Sequence, residues 1–351
     1  MDVEADNEVR VSRWEDSFRI PSSRSARKRG GLPTFSVVVA AYQAAAFVGE
    51  AVESALAQTA PPHEIIVCDD GSTDDIEAAL APYRHRIMLL RKEQGGPASA
   101  RNVAARAASG EFVVVLDADD AYLPERLEAL GELASRHPQL DILATDAYYE
   151  LDGSFVGRFN KATEFEVLDQ RSAILERCFC AWPALRRSKL LASGGFDETL
   201  ATGEDWDCAI RLIFGGCLAG LVDEPLYRYR IRRDSVTADR VGTLRDRITL
   251  LEKAREQLHL SSPERGSLER SLDVQRRSLL LTEAEAALRA GDPQARRLSL
   301  AVATNNRVDR RTRTLAIASA LAPRLSGRLL ERRARRPGGG GSRLARPVPR
   351  S

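Results

Sequence analysis

Two groups of acidic residues each follow a short apolar segment directly. The first, DDGSTD at 69–74, comes after EIIVC, and the second, DADD at 117–120, comes after FVVVL. Carboxylates that lie close together repel and raise one another's pKa unless a cation shares them. A hard divalent ion with oxygen ligands, Mg²⁺ or Mn²⁺, would relieve that repulsion and could hold phosphates. If the two groups meet in space, they predict a metal- and phosphate-binding site.

Each group also has a structural interpretation. Asp70 to Asp74 could cap a helix predicted over 74–81, because Ser, Thr and Asp side chains accept hydrogen bonds from the amides of a first helical turn. Three acids in four residues at 117–120 also occur in ordinary surface loops. The strongly apolar FVVVL before them favours the end of a buried strand instead.

The segments around these acids alternate between strand and helix patterns. Short β-branched runs alternate with segments whose apolar residues recur every three to four positions. Such alternation predicts an α/β fold with right-handed crossovers and a mostly parallel, doubly wound sheet. Ligands bind such sheets beyond the carboxyl ends of the strands, where both acidic groups lie. The predicted strands are 35–40, 64–68, 86–90 and 111–118.

The chain lacks two common phosphate-binding motifs. No G-x-G-x-x-G follows the first predicted strand, and no G-x-x-x-x-G-K-[ST] occurs in the sequence. The sequence therefore supports neither a dinucleotide-binding domain nor a P-loop.

Four regions are expected along the 351 residues. Residues 1–32 are polar and predicted to form a mobile arm, and 33–238 are predicted to form the α/β domain. Residues 239–336 are rich in Leu, Ala and Arg and are predicted to form a helical appendage. A basic flexible tail, 337–351, is predicted to follow the PGGGGS segment.

Composition and charge limit the class of protein. The chain is 43% hydrophobic and 29% charged, which is typical of a globular protein, and no apolar run reaches the roughly 20 residues of a membrane helix. No secretion signal is visible, and five cysteines without paired spacing fit a reducing cytoplasm. Residues 323–351 carry a net charge of +8 and the remainder −6. This tail is either a solvated end or an attachment to an anionic surface such as a membrane.

Five segments in order resemble family 2 glycosyltransferases with the GT-A fold, a Rossmann-like, mixed, mostly parallel sheet flanked by helices. The resemblance covers about 34–235, at the family's spacings. The segments are AAYQ (40–43), IIVCDDGSTDD (65–75), QGGPASARNVAARAASGEFVVVLDADD (94–120), GGFDE (194–198) and GEDWD (203–207).

The resemblance implies a nucleotide-sugar site and a divalent metal, Mg²⁺ or Mn²⁺. It implies that Asp119, with Asp117, binds the metal, which neutralises charge on the leaving diphosphate. Arg101 is among the residues implied in nucleotide-sugar binding, but Arg101 and Asn102 could instead be a pair on the surface of a helix. The residues implied in nucleotide-sugar binding are Ala41, Tyr42, Asp69, Asp70, Arg101, Asp117 and Ala118.

The same resemblance implies an inverting transfer with Asp205 as the general base and Glu204 either touching the acceptor or orienting it. A positioned carboxylate contributes on the order of 10²–10⁴-fold to such a reaction. Acids at this position also suit a helix N-terminus electrostatically. The residues implied on the acceptor side are Trp182, Gly195, Phe196 and Trp206.

The chain departs from the family's pattern at two places. Many relatives carry a His in a His-x-x-Ser context where residues 227–237 here contain none, so Arg230, Arg232 or Arg233 is expected either to contact the diphosphate or to face solvent. This leaves metal dependence open. The Q-x-x-R-W signature of processive synthases is absent, which favours transfer of a single sugar.

The sequence therefore predicts an inverting glycosyltransferase that uses a nucleotide-diphosphate sugar and a glycan, lipid-linked or small-molecule acceptor. It is expected in the cytoplasm, with peripheral contact between the Arg-rich tail and an anionic inner membrane face, and no nucleic acid partner is expected. Two alternatives are a non-catalytic sugar-nucleotide-binding protein and a nucleotidyltransferase. The first could dispense with Glu204 and Asp205, and the second should carry a Gly-rich basic loop near the first strand, which is not found.

Overall fold

A computed structural model describes residues 19–20, 31–163, 165–166, 168–232, 235 and 238–334. The contacts within the chain group these residues into two units. The first unit comprises the described residues up to Ala238 together with Ala254–Leu268. The second unit comprises Asp239–Lys253 and the described residues from Glu269 onwards.

The first unit is built on a mixed sheet that contains ten strands within the described residues. The strands lie in the order β1-β10-β7-β9-β5-β2-β3-β4, with β6 paired to β10 and β8 paired to β7. Their bounds are β1 Arg19–Ile20, β2 Phe35–Ala41, β3 Glu64–Asp69, β4 Met88–Arg91, β5 Phe112–Asp117, β6 Ala121–Tyr122, β7 Ile142–Leu151, β8 Ser154–Arg158, β9 Ala184–Arg186 and β10 Ala219–Arg230.

One half of the sheet, β5-β2-β3-β4, is entirely parallel. Its three central strands are almost continuously buried because crossover helices cover parallel sheets on both faces. In the other half, β9 runs antiparallel to both β5 and β7, while β7 and β10 are parallel. The predicted mixed, mostly parallel sheet flanked by helices is confirmed.

Eight α-helices lie between residues 48 and 214 of the described part of the chain. Most connect one strand to the next, and their apolar stripes pack on the sheet around a core that includes Val37, Val39, Val114 and Leu116. Their bounds are α1 Val48–Leu56, α2 Ile76–Leu80, α3 Pro97–Ala107, α4 Arg126–Arg136, α5 Phe159–Ala162, α6 Gln170–Glu176, α7 Arg187–Ala192 and α8 Glu204–Phe214.

The start of α2 corrects one structural interpretation of the first acidic group. The N-cap of this helix is Asp75, whose side chain accepts a hydrogen bond from the Ala78 amide. The interpretation that Asp70 to Asp74 cap the helix is therefore wrong, because Asp70 and Asp74 accept hydrogen bonds from other loops instead.

Part of the predicted N-terminal arm is a strand. Arg19 and Ile20 form β1, which pairs in parallel with Leu221 and Val222 of β10. The other residues of this arm up to Gly30 lie outside the described residues.

The region from Asp239 to Ala334 is helical. Two proline residues, Pro263 and Pro323, lie in first helical turns, where proline costs no hydrogen bond. The predicted basic tail, 337–351, lies outside the described residues. Within the described part of the chain, no helix is both long and apolar enough to span a bilayer. The helix bounds are α9 Arg240–Gln257, α10 Ser262–Ala290, α11 Ala295–Thr304, α12 Arg310–Leu321 and α13 Pro323–Ala334.

Candidate active site

Arg101 links the end of β5 to the start of α8. This side chain rises from α3, is 8% exposed, and donates from Nη2 to Asp117 Oδ1 at 2.5 Å. Its Nη1 donates to Glu204 Oε1. Two acids that lie 87 positions apart in the sequence therefore share one buried guanidinium.

Burial and the neighbouring charges shift the pKa values of both Arg101 and Glu204. Burial alone would lower the pKa of Arg101, but Asp117 and Glu204 together raise it above its ordinary value. Burial raises the pKa of Glu204 to about 7, and nearby Asp205 and Asp117 act in the same direction against the effect of Arg101. The physical cause is that three carboxylates, those of Asp117, Glu204 and Asp205, lie near one positive charge in a region of low dielectric.

The second oxygen of Asp117 is also engaged. Trp182 Nε1 donates to Asp117 Oδ2 at 3.2 Å, and the Asp117 amide donates to the Tyr227 hydroxyl oxygen at 3.2 Å. Trp182 has a φ of 47°, a left-handed backbone conformation that non-glycine residues adopt rarely. Its ring stacks on Tyr227 with the centroids 4.7 Å apart. The predicted acceptor-side residue Trp182 thus lies against the nucleotide-side acid.

Asp119 points to a different cation. Its Oδ2 lies 3.3 Å from Arg232 Nη1, and the Arg232 guanidinium lies over the Phe47 ring, 4.1 Å from the centroid. Burial, together with the charge of Asp117, raises the pKa of Asp119 above its ordinary value. Of the three arginines expected either to contact the diphosphate or to face solvent, Arg232 therefore reaches the predicted metal ligand.

Asp120 is more deeply buried than either neighbouring acid, with 1% of its surface exposed. It accepts hydrogen bonds from the Tyr227 hydroxyl at 2.7 Å and from the Arg230 amide at 2.8 Å. Burial and the charges of Asp117 and Asp119 raise the pKa of Asp120 well above its ordinary value. Sequence reasoning did not assign a role to Asp120 or Tyr227, because nothing in their local spacing indicates that they meet.

The loop after β3 is held by the first acidic group. Asp70 accepts hydrogen bonds from the Gly95 and Gly96 amides at 3.0 and 2.7 Å and pairs with Lys92 Nζ at 2.7 Å. Asp69 Oδ1 accepts from the Ser72 amide at 2.9 Å. Both acids are buried, so in this structure their carboxylates organise the loops that lead into α2 and α3.

Residues 36–193 match the family model described as Glycosyl transferase family 2. These residues form a domain of this family. Of the three functions that the sequence left open, this membership supports a glycosyltransferase, an enzyme that transfers a sugar from a nucleotide sugar.

Individual proteins match different portions of this chain. An uncharacterized glycosyltransferase of Methanocaldococcus jannaschii is 28% identical over 57% of this chain and 71% of its own length. The matched region covers 57% and 29% of the next two relatives, so the chain spans only part of some of them.

Two solved structures share the fold. TarS 1–349 of S. aureus in complex with UDP has a TM-score of 0.57 and 23% identity, over 86% of this chain and 91% of that one. Mannosyltransferase PcManGT of Pyrobaculum calidifontis, in complex with GDP-Man and Mn²⁺, has a TM-score of 0.56 and 22% identity, over 93% and 91%.

Three of the predicted nucleotide-sugar-binding residues lie at the ends of β2 and β5. Ala41 is buried, and its carbonyl accepts from the Asp70 amide at 2.8 Å, so the tips of β2 and β3 are tied together. Tyr42 is 44% exposed and free of the core, while Ala118 is buried beside the acids.

Two acceptor-side assignments do not fit their positions. Phe196 and Trp206 are each 4% exposed, and the Trp206 indole donates to the Ile174 carbonyl at 2.5 Å. Both aromatic rings therefore belong to the buried core. The prediction that Phe196 and Trp206 contact the acceptor directly is wrong for this structure.

The turn around Gly195 is bound to α3 by Asn102. This side chain accepts from the Phe196 amide at 2.8 Å and donates to the Phe196 carbonyl and to Glu198 Oε1, each at 2.8 Å. Gly195 has a φ of 79°, and a Cβ added there would overlap Asn102 Oδ1. Asn102 is a residue whose importance appears only in the structure.

Asp205 occupies the first turn of α8 and is only partly buried, unlike its neighbour Glu204. Its Oδ1 accepts from the Trp206 amide at 2.8 Å. Asp205 therefore keeps part of its surface exposed beside the buried Arg101–Glu204 pair.

The donor set at the acidic turn fits a hard divalent metal. Among the described residues no three His, Cys, Asp or Glu side chains form a ready metal cluster. Both Asp117 oxygens accept from protein donors, whereas Asp119 has one oxygen, Oδ2, paired with Arg232, so Asp119 is the less engaged of the two carboxylates. Mg²⁺-type ions are commonly held by one or two carboxylates plus substrate phosphates, so a site completed by the donor is consistent with these residues.

Proposed function

We propose that the protein is an inverting glycosyltransferase that moves a single sugar from a nucleoside-diphosphate sugar onto an acceptor hydroxyl. The observation that carries this proposal is the Arg101 link, because it brings the acid at the end of β5 next to the acids that begin α8. A transfer needs these two sides together, one for the leaving diphosphate and the other for the acceptor.

The donor is proposed to lie across the ends of β2, β3 and β5. UDP-GlcNAc is bound in a TarS structure and GDP-Man in PcManGT, which supports a nucleoside-diphosphate sugar as the substrate class. Tyr42 and Ala41 would meet the base, and Asp69, Asp70, Arg101, Asp117 and Ala118 would line the nucleotide pocket. The exposed Tyr42 ring is available for stacking on the base.

Asp205 is proposed as the general base. The acceptor oxygen attacks the anomeric carbon while the bond from that carbon to the diphosphate oxygen breaks, and the hydroxyl proton passes to the Asp205 carboxylate. Attack from the face opposite the diphosphate inverts the anomeric configuration. Glu204, held by Arg101, would orient the acceptor or the base.

Asp119 would hold the divalent ion, with Asp117 beside it. Bound Mg²⁺ or Mn²⁺ supplies charge that neutralises the leaving diphosphate. Arg232 already lies at Asp119 and would contribute positive charge to the same region. Its presence supports a diphosphate contact where many relatives carry a histidine.

The acceptor is proposed to be a glycan, a lipid-linked sugar or a small molecule with a free hydroxyl. Gly195 and the neighbouring turn remain the proposed acceptor side, positioned by Asn102. The enzyme is proposed to act in the cytoplasm, with its basic tail at the inner membrane face; the residues 337–351 of that tail lie outside the described part of the chain.

The test compares Asp205→Asn with Asp207→Asn. Asp207 lies in the same helical turn but pairs with Arg211, so its substitution is the matched control. We expect a donor screen with Mn²⁺ to find a UDP- or GDP-sugar that raises Tm. Asp205→Asn should keep that shift and lose transfer by about 10²-fold or more, whereas Asp207→Asn keeps transfer.

Asp119→Ala should abolish the metal-dependent part of the Tm shift, because it removes the proposed metal carboxylate. Normal transfer by Asp205→Asn would show that the base assignment is wrong. A wild-type protein that no nucleotide sugar stabilises, with or without Mn²⁺, would contradict the proposed function itself.

A further inference from the structure

Tyr227 contacts the acidic turn through its hydroxyl group. This residue lies in β10 and is fully buried, and its hydroxyl donates to Asp120 Oδ2 at 2.7 Å. The same oxygen accepts from the Asp117 amide at 3.2 Å. One hydroxyl thus bridges both ends of the four-residue turn that carries Asp119.

We propose that Tyr227 is a positioning residue that fixes the orientation of Asp117 and Asp119 for metal and donor. The inference rests on the proposed function of these two acids. Tyr227 itself touches neither substrate nor metal, and it acts through the backbone of Asp117 and the carboxylate of Asp120.

Asp120 completes the connection to β10. Its other oxygen, Oδ1, accepts from the Arg230 amide at 2.8 Å. Two successive hydrogen bonds therefore fasten the turn after β5 to β10, at Tyr227 and at Arg230. Arg232, which reaches Asp119, follows two residues later. The same two bonds thus hold the acidic turn beside the strand that leads to this arginine.

The Tyr227 ring is packed against other buried or partly buried side chains. Trp182 stacks on it, and the guanidinium of the fully buried Arg126 lies 4.9 Å from the ring centroid. Arg126 Nη2 also donates to the Trp182 carbonyl at 2.5 Å, and Trp182 Nε1 donates to Asp117. Trp182 and Tyr227, which stack on each other, therefore both form hydrogen bonds with Asp117.

A buried neighbour offers a matched comparison. Tyr122 is 5% exposed, and its ring also lies near Arg126, 4.8 Å from the guanidinium, and 5.7 Å from the Tyr227 ring. Its hydroxyl donates to the Val115 carbonyl at 2.8 Å. Tyr122→Phe therefore removes a buried hydroxyl from the same aromatic group without removing a bond to Asp117 or Asp120.

The experiment measures Mn²⁺ binding to the full-length protein by electron paramagnetic resonance of free Mn²⁺, with and without UDP as the nucleotide probe, for wild type, Tyr227→Phe and Tyr122→Phe. Tm is recorded for each. We expect Tyr227→Phe to weaken Mn²⁺ binding about tenfold or more, since loss of a group that orients a metal ligand has effects of this size. Tyr122→Phe should stay within about twofold of wild type at a similar Tm.

Equal effects of the two substitutions on Mn²⁺ binding would overturn the inference and make Tyr227 a structural residue. If Tyr227→Phe does not fold, Asp120→Asn takes its place, and unchanged Mn²⁺ binding in that variant overturns the inference equally. The inference also fails, together with the proposed metal site, if wild type itself shows no binding of Mn²⁺ in the presence of UDP or of the other nucleoside diphosphates. The proposed function fails separately, only if no nucleotide sugar raises the Tm of wild type with or without Mn²⁺.

Discussion

One guanidinium lies among three carboxylates in this site, and that ratio determines its electrostatics. Arg101 is buried rather than placed on the surface of α3, so the interpretation as a helix surface pair does not describe it. Breaking a buried ion pair leaves a charge without compensation, typically at a cost of about 3–5 kcal/mol. Arg101 therefore both positions the carboxylates and compensates their buried negative charge.

Glu204 gives the site a pH dependence whose sign can be worked out. Its pKa rises from 4.5 to about 7 on folding, so between these values the folded state holds a proton that the unfolded chain releases. The free energy of unfolding then falls as the pH rises through this window. Glu204→Gln cannot ionise, so relative to wild type it should gain up to about 3 kcal/mol between pH 5 and pH 8.

The measurement is denaturant unfolding of both proteins at several pH values. Glu198→Gln is the control, because the hydrogen bond from Asn102 lowers the pKa of Glu198 and moves its titration below this range. Parallel pH curves for wild type and Glu204→Gln would contradict the prediction.

At the scale of elements, α3 connects three parts of the fold through two adjacent residues. Successive helical side chains point about 100° apart, so Arg101 reaches the ends of β5 and α8 while Asn102 reaches the turn at 194–198. The helix thus places the nucleotide side and the proposed acceptor side relative to each other.

The turn at 194–198 allows steric crowding to be separated from backbone strain. Gly194 and Gly195 both have positive φ, but only at Gly195 would an added Cβ meet another group, Asn102 Oδ1. Gly194→Ala should cost about 1–2 kcal/mol from the left-handed conformation alone. Gly195→Ala should cost roughly a further 1–3 kcal/mol, because Asn102 must give up buried hydrogen bonds.

Denaturant unfolding of the two alanine variants checks this difference. Equal losses of stability would show that Asn102 can move aside at no cost. An unequal loss, accompanied by a decrease in transfer only for Gly195→Ala, would connect the turn to the proposed acceptor side.

On the scale of the whole molecule, charge is distributed unevenly. Residues 323–351 carry +8 and the rest of the chain −6, so the C-terminal segment is the part expected to meet an anionic surface. Each basic residue near such a surface contributes about 1 kcal/mol, and salt screens the attraction. The proposed membrane contact follows from this asymmetry.

Flotation with vesicles tests this contact. Full-length protein should float with vesicles that contain an anionic lipid at low salt, and should be released at about 0.5 M salt because the Debye length shortens. A 1–322 truncation and vesicles of neutral lipid are the controls and should show little flotation. Equal flotation of full-length and truncated protein would contradict the membrane proposal.

The domain boundary near residue 238 illustrates a limit of sequence patterns. The change from strand–helix alternation to continuous helices predicts it, yet the contacts group Ala254–Leu268 with the preceding residues. Helical periodicity reports which face of a helix is apolar and carries no information about the element that face will contact. The division into 33–238 and 239–336 therefore stays a prediction.

The amino-acid pattern was enough to predict the central strands and to recognise the resemblance to family 2 glycosyltransferases. Alternation of β-branched runs and helical stripes fixed the strands around 35–41, 64–69 and 112–117 to within a residue or two, because burial on both sheet faces leaves a strong local pattern. The acids at 117–120 could be placed at a sheet edge for the same reason. The three-dimensional fold was needed to show that Arg101 joins Asp117 to Glu204 and that Tyr227 and Asp120 hold the acidic turn. It was also needed to show that Phe196 and Trp206 are core residues. These contacts span about a hundred positions or depend on which face of an element is covered, and no local spacing encodes either.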